Sequence, residues 1–183
     1  TPPLVAHAFG GIDNYTYTNS LEAFQLNYDL GHRVFEVDLD ITHEDYTVVA
    51  SHDKDSWLRF ANLGHDAPYS HENYMASSLH DRYTTMDYRD IIDLMIAYPD
   101  IYIISDTKST DHTTTLLQFS QIVTYALSTN PTVLDRFIPQ IYHEDMLSWI
   151  MSVHPFKSVI YTLYMANTTV YRACDFCLES GIR

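Results

Sequence analysis

The chain has 183 residues, 46% of them hydrophobic, which is enough for one substantial core and too apolar for a disordered segment. Its formal net charge is −14 and its 10 Lys and Arg residues are scattered, which excludes the basic surface that a nucleic-acid partner requires. The acid excess suits a hard cation better than a polyanion, although a solvated acidic surface accounts for most of it.

No stretch approaches the roughly 20 apolar residues of a membrane span. Thr1-Pro2-Pro3 opens directly on a strand-like segment, with neither an initiator methionine nor a signal core. That start reads as a processed or trimmed end, and the compartment stays open.

A first strand is predicted over Leu4–His7. A helix over Ser20–Leu30 follows, with Asn19 or Ser20 as cap, an apolar stripe of Leu21, Phe24 and Tyr28, and Gly31 as stop. Strands are predicted at Val34–Ile41 and Thr47–Ser51. Between Asp53 and Thr85 the periodicity dissolves around an apolar knot of Trp57, Leu58 and Phe60. A connection this long, leaving from His52-Asp53, is expected to be an inserted loop or lid over residues 54–85, close to the substrate.

A helix over Met86–Tyr98 starts from Asp87 or Thr85, presents Ile91, Leu94, Met95 and Tyr98 on one face, and ends at Pro99. The remaining strands are Ile101–Ser105, Phe137–Tyr142 and Ser158–Met165. The remaining helices are Thr113–Thr129, closed by Asn130-Pro131, then Glu144–Val153 and Thr168–Glu179. Cys174 and Cys177, the only cysteines, fall in the last helix and read as half-buried structural thiols rather than a redox or zinc pair.

Alternation of this kind gives an α/β fold with a mainly parallel sheet. Six strands allow an open doubly wound sheet, and they also equal about three quarters of a (β/α)8 TIM-type barrel. Gly10-Gly11 lacks the further glycines of a dinucleotide loop.

The chemistry gathers where apolar runs end. Glu36 and Asp38 lie two apart on a strand and so face the same side. Paired carboxylates facing a barrel interior are costly unless a cation or hydrogen bonds compensate, which points to an oxygen-ligated divalent metal. The bland alternative adds Asp40 to the series and makes the strand an acidic exposed edge, but Val34, Phe35, Val37, Leu39 and Ile41 leave no such edge. Taken singly, His7 and His52 each read as a satisfied core or loop histidine, but each ends an apolar run and together they could supply an acid and a base. Lys108, two beyond Asp106, would neutralise charge developing on a phosphate.

In order and spacing these pieces resemble the glycerophosphodiester phosphodiesterase family, within the wider group that includes phosphatidylinositol-specific phospholipase C. They are His7, Asn19-Ser20-Leu21-Glu22-Ala23-Phe24, Gly31, Glu36-Val37-Asp38, Val48-Val49-Ala50-Ser51-His52-Asp53 and Asp106-Thr107-Lys108. The likeness spans residues 4 to about 108; beyond that it rests on strand–helix rhythm. It implies a single phosphodiesterase-type domain over residues 1–183 that hydrolyses glycerophosphodiesters to an alcohol and glycerol phosphate. Glu36, Asp38 and Asp106 would bind a divalent cation, Ca²⁺ or Mg²⁺. His7 and His52 would be the catalytic acid–base pair, and Lys108 would contact the substrate phosphate.

Three departures qualify the likeness. Ala8 stands where the family usually has Arg, and Arg33 is not an obvious replacement. Asp106 is one methylene shorter than the usual Glu. The chain also stops at Gly181-Ile182-Arg183, so the last two barrel strands are expected to be missing. A further segment or another chain is then expected to cover the exposed break. Two other functions stay open: a phospholipase C- or D-like lipid phosphodiesterase, for which a membrane surface would be the partner, and a non-catalytic metal- or phosphate-binding relative.

Overall fold

A computed structural model describes residues 4–182; the expectation for Thr1-Pro2-Pro3 lies outside them. In chain order the first elements are β1 (Val5–Ala6), α1 (Leu21–Asp29), β2 (Val34–Asp38), β3 (Asp40–Ile41), β4 (Val48–Val49), α2 (Lys54–Phe60) and α3 (His71–Ala76). Next come β5 (Ser78–Leu79), β6 (Tyr83–Thr84), α4 (Tyr88–Ala97), β7 (Tyr102–Asp106) and α5 (His112–Thr129). The last are β8 (Phe137–Ile141), α6 (Glu144–Val153), β9 (Ile160–Tyr161) and α7 (Val170–Ser180).

Five strands form one sheet in the order β1-β2-β7-β8-β9, every pair parallel. This is the expected α/β partial barrel, with five strands rather than six in the sheet. Register places Asp38 directly beside Asp106, and the strand ends that follow carry His7 and Tyr142. One edge of the sheet thus gathers the titratable tips of four strands. Phe35, Val37, Ile103, Phe137 and Ile141 are fully or almost fully buried under the helices.

The missing sixth strand is Thr47–Ser51. Its Val48 and Val49 pair antiparallel with Asp40–Ile41 in a hairpin outside the parallel sheet. The predicted strand Val34–Ile41 therefore breaks at Leu39, whose N–H still reaches Asp106 O at 2.8 Å. The hairpin turn is closed by side chains: the Thr42 hydroxyl donates to Asp45 and accepts from Thr47 N–H at 2.8 Å. Tyr46 takes a positive φ there, with no glycine to announce it.

Five helices fall close to their expected residues, and polar side chains cap the starts of four of them. Ser20 Oγ accepts from Ala23 N–H in α1, and Asp111 caps α5. Asp87 and Asp90 make a reciprocal capping box at the start of α4, and Thr169 caps α7. Residues 54–85, expected as an inserted loop or lid, carry α2, α3 and the β5–β6 hairpin. Trp57, Tyr69 and Tyr74 bury at 0–1% exposure there, and Tyr74 OH donates to Ala50 O at 2.6 Å.

The sheet is open at β1 and β9, where Leu4, Val5, Leu163, Tyr164 and Met165 are exposed. Of the two thiols, only Cys177 is half-buried; Cys174 is exposed, because α7 touches the core chiefly through Ala173. Among the described residues no helix is long and apolar enough to cross a membrane.

Candidate active site

Glu36, Asp38 and Asp106 meet at the C-terminal edge of the sheet. One oxygen from each lies within 4.8 Å of the others, and all three side chains are buried. Asp40, the fourth acid of the series, is elsewhere: it belongs to the hairpin and accepts from Tyr69 OH at 3.0 Å.

Each carboxylate is held by a different element. Glu36 Oε2 accepts from the backbone N–H of Ala8 at 2.8 Å. That N–H faces inward because Ala8 and Phe9 both take left-handed φ, +50° and +62°, a conformation costly for residues with a Cβ. Gly10 continues the turn at φ +92°, where a Cβ would lie 2.3 Å from the Asn27 amide. Asp38 is clasped by Asn19, whose Nδ2 donates to Asp38 Oδ2 at 2.9 Å while its Oδ1 accepts from Asp38 N–H at 3.0 Å. Asp106 accepts from the hydroxyls of Tyr142 and Tyr164, the latter at 3.1 Å.

Lys108 closes the cluster. Its Nζ lies 2.8 Å from Asp38 Oδ1 and contacts Asp106 Oδ2. A positive φ at Lys108 folds the chain back so that its own N–H reaches Asp106 Oδ1 at 3.3 Å.

Three carboxylates and one ammonium leave an excess of negative charge. Burial, then repulsion from Asp38 and Asp106, pushes the Glu36 carboxyl up to about 8, against the Ala8 N–H and the Lys108 charge. Burial also pushes Asp106 upward, but hydrogen bonds from Lys108 and Tyr142 outweigh it and hold this carboxyl below the usual range. Burial would lower Lys108, yet its bonds to Asp106 and Asp38 raise it above an ordinary lysine.

The residues present fit a divalent cation. Their donors are hard oxygens at ligand spacing. Asp38 Oδ1 is fully buried and accepts no hydrogen bond of good geometry, despite the nearby ammonium. A divalent charge here would also favour the ionised form of Glu36.

The two histidines flank one phenol ring. His7 packs edge-on against Tyr17 with ring centroids 4.9 Å apart, and His52 packs edge-on against the same ring at 5.6 Å. His7 Nε2 lies 3.7 Å from Glu36 Oε2. His52 Nδ1 lies 2.6 Å from Asp53 Oδ2, and Asp53 caps α2 through Ser56 N–H. Burial raises Asp53, but the Ser56 N–H and His52 hold its carboxyl below the ordinary range, as suits an acceptor that orients an imidazole. Of the six residues singled out from sequence, Glu36, Asp38, Asp106, Lys108 and His7 lie beside one another, and His52 is linked to them through the Tyr17 ring that it shares with His7. Arg33 does not join them: it pairs with Asp100 at the opposite end of β2.

Sequence reasoning missed the supporting partners. Tyr142 directly follows β8 and Tyr164 lies just beyond β9, while Asp106 ends β7, so the rule that a strand ends in a titratable group applied to them as well. Asn19 stood in the quoted motif only as a possible cap. Tyr17 and the Ala8 N–H gave no signal, since one lies in an irregular loop and the other is backbone.

No family model matches the sequence, and no curated protein is detectably similar to it. Solved structures do match. A candidate glycerophosphodiester phosphodiesterase from Galdieria sulphuraria superposes with a TM-score of 0.71 at 16% identity, over 96% of this chain and 72% of its own. A glycerophosphoryl diester phosphodiesterase from Parabacteroides distasonis gives 0.71 at 21% identity, over 98% and 59%. A glycerophosphodiester phosphodiesterase from Agrobacterium tumefaciens gives 0.65 at 14%, over 91% and 69%. At such identities the likeness establishes a shared fold, in agreement with the motif resemblance. The chain spans between 59% and 72% of these proteins' length.

Proposed function

We propose that this chain is a metal-dependent phosphodiesterase acting on glycerophosphodiesters or a related lipid-derived head group. The observation that carries this is convergence: Glu36, Asp38 and Asp106 share ligand spacing at the sheet edge that also carries His7, and His52, at the end of the β3–β4 hairpin, packs against the same Tyr17 ring as His7.

Glu36, Asp38 and Asp106 would hold the cation, Ca²⁺ or Mg²⁺, which when bound polarises phosphoryl oxygens and neutralises their charge. Asn19 and the Ala8 N–H fix the two β2 carboxylates in place. One imidazole takes the proton of the attacking hydroxyl, and the other delivers a proton to the departing alkoxide oxygen, so the P–O bond to the alcohol breaks as the new one forms. Asp53 orients His52, and Glu36 faces His7. Lys108 provides the positive charge nearest the phosphate.

Hydrolysis of glycerophosphocholine and of bis(p-nitrophenyl) phosphate, with and without Ca²⁺ or Mg²⁺, tests this. Metal-dependent turnover is expected, and Glu36→Ala or Asp38→Ala should abolish it. Unchanged turnover in both variants rejects the ligand assignment. A binding relative without turnover is the second reading, favoured by Ala8, whose methyl leaves the phosphate without an arginine contact; metal binding without hydrolysis would establish it.

A further inference from the structure

We propose that Lys108 is an exchangeable counter-cation that occupies the carboxylate cluster in competition with the divalent metal, so that metal and phosphate bind cooperatively. This rests on the phosphodiesterase site just described and specifies the order of events within it.

The geometry gives Lys108 two anionic partners that the cation also needs. Its Nζ bridges Asp38 Oδ1, at 2.8 Å, and Asp106 Oδ2. Those two acids are neighbours in register across β2 and β7, so one ammonium spans both. Asp106 already receives Tyr142 and Tyr164, which leaves it little free acceptor capacity while Lys108 stays. A divalent ion using the same oxygens would meet a resident positive charge at contact distance, and the two repel.

The lysine is not locked by packing. Its side chain remains 25% exposed, whereas Asp38 is fully buried, so the stem has a way outward and the acid does not. A phosphate arriving beside the cluster supplies the anion that the ammonium loses on leaving. Lys108 then passes from the carboxylates to the phosphate, and the freed oxygens accept the metal. By linkage, each ligand tightens the other by the same factor.

The experiment is calorimetric titration of the full chain with Mg²⁺, alone and with inorganic phosphate, for wild type and Lys108→Met. Without phosphate the variant is expected to bind Mg²⁺ about tenfold more tightly or better, since charge-assisted bonds to carboxylates are the strong ones. Phosphate should tighten Mg²⁺ binding in wild type and do so much less in the variant. Acetic anhydride labelling of the wild-type chain supplies a readout that needs no variant: Mg²⁺ should raise labelling of Lys108 while Lys54 and Lys157 stay constant. Measurable but equal or weaker Mg²⁺ affinity in folded Lys108→Met, or Lys108 labelling unchanged by Mg²⁺, overturns the exchange and leaves the cation site standing. Absence of Mg²⁺ binding in both chains removes the cation site and the exchange together.

Discussion

Two buried carboxylate centres in this fold meet opposite fates. Asp87, at the start of α4, accepts from Arg89 N–H at 2.7 Å, Arg89 Nε at 2.9 Å and Asp90 N–H at 3.2 Å, and it faces His71 Nε2 at 2.8 Å. Burial pushes its carboxyl up, but the Arg89 and His71 bonds outweigh burial and the group sits below the usual range. Glu36 is comparably enclosed, yet it has one backbone N–H, a histidine at 3.7 Å and two acidic neighbours, and it rises to about 8. Burial alone does not separate structure from function here; the supply of donors does. Asp87 is a finished cap, and Glu36 is a group short of positive charge.

Removing Asp87 should have the largest effect. Asp87→Ala takes away the α4 cap and leaves Arg89 and His71 without their acceptor, costing about 3–5 kcal/mol in urea unfolding. Mg²⁺ stoichiometry in the folded fraction should not change. A loss of stability no greater than that of an exposed substitution would erase the contrast.

Glu36→Gln should move stability the other way. The folded carboxyl titrates near 8, above its ordinary value of 4.5, so its contribution to stability is complete below about pH 4.5 and is lost as pH rises toward 8. The neutral amide keeps that contribution. In metal-free buffer the variant should gain ~2–4 kcal/mol over wild type by pH 8, with the gap opening from pH 4.5 and flat above 8. Parallel stability–pH curves for the two chains would contradict the assigned titration.

The same group sets the pH dependence of metal binding. Below about 8 the cation displaces a proton from Glu36, so Mg²⁺ affinity should climb with pH, by up to about tenfold per unit, and level off above that point. Affinity flat between pH 6 and 8 would contradict the displacement of a proton from Glu36 by the cation. At the far end of β2, Arg33→Ala should change Mg²⁺ affinity less than about twofold, because the exposed Arg33–Asp100 pair is screened from the site.

Much of the site was legible because strand ends carry it. Glu36 and Asp38 share a face by simple alternation, and parallel pairing set Asp106 beside Asp38. What was not legible depended on backbone conformation and partner choice. Thr47–Ser51 has strand composition, but whether it joins a parallel sheet or a hairpin was decided by the Thr42–Asp45 turn. The helices α2 and α3 hide in residues 54–85 because their apolar residues are sparse and largely aromatic. They are fixed by contacts such as Trp57 Nε1 to Ser77 Oγ at 2.8 Å. The left-handed residues Ala8, Tyr17, Asn19 and Lys108 aim the groups of the site, and none of them is glycine.

Native mass spectrometry of the full chain titrated with Mg²⁺ or Ca²⁺ addresses the cation centre itself. One ion per chain is expected in wild type and in Asp87→Asn, and none in Glu36→Gln or Asp38→Asn at the same concentration. Retention of the ion by both Glu36→Gln and Asp38→Asn, or no ion on the wild-type chain, would contradict a shared metal centre at this sheet edge.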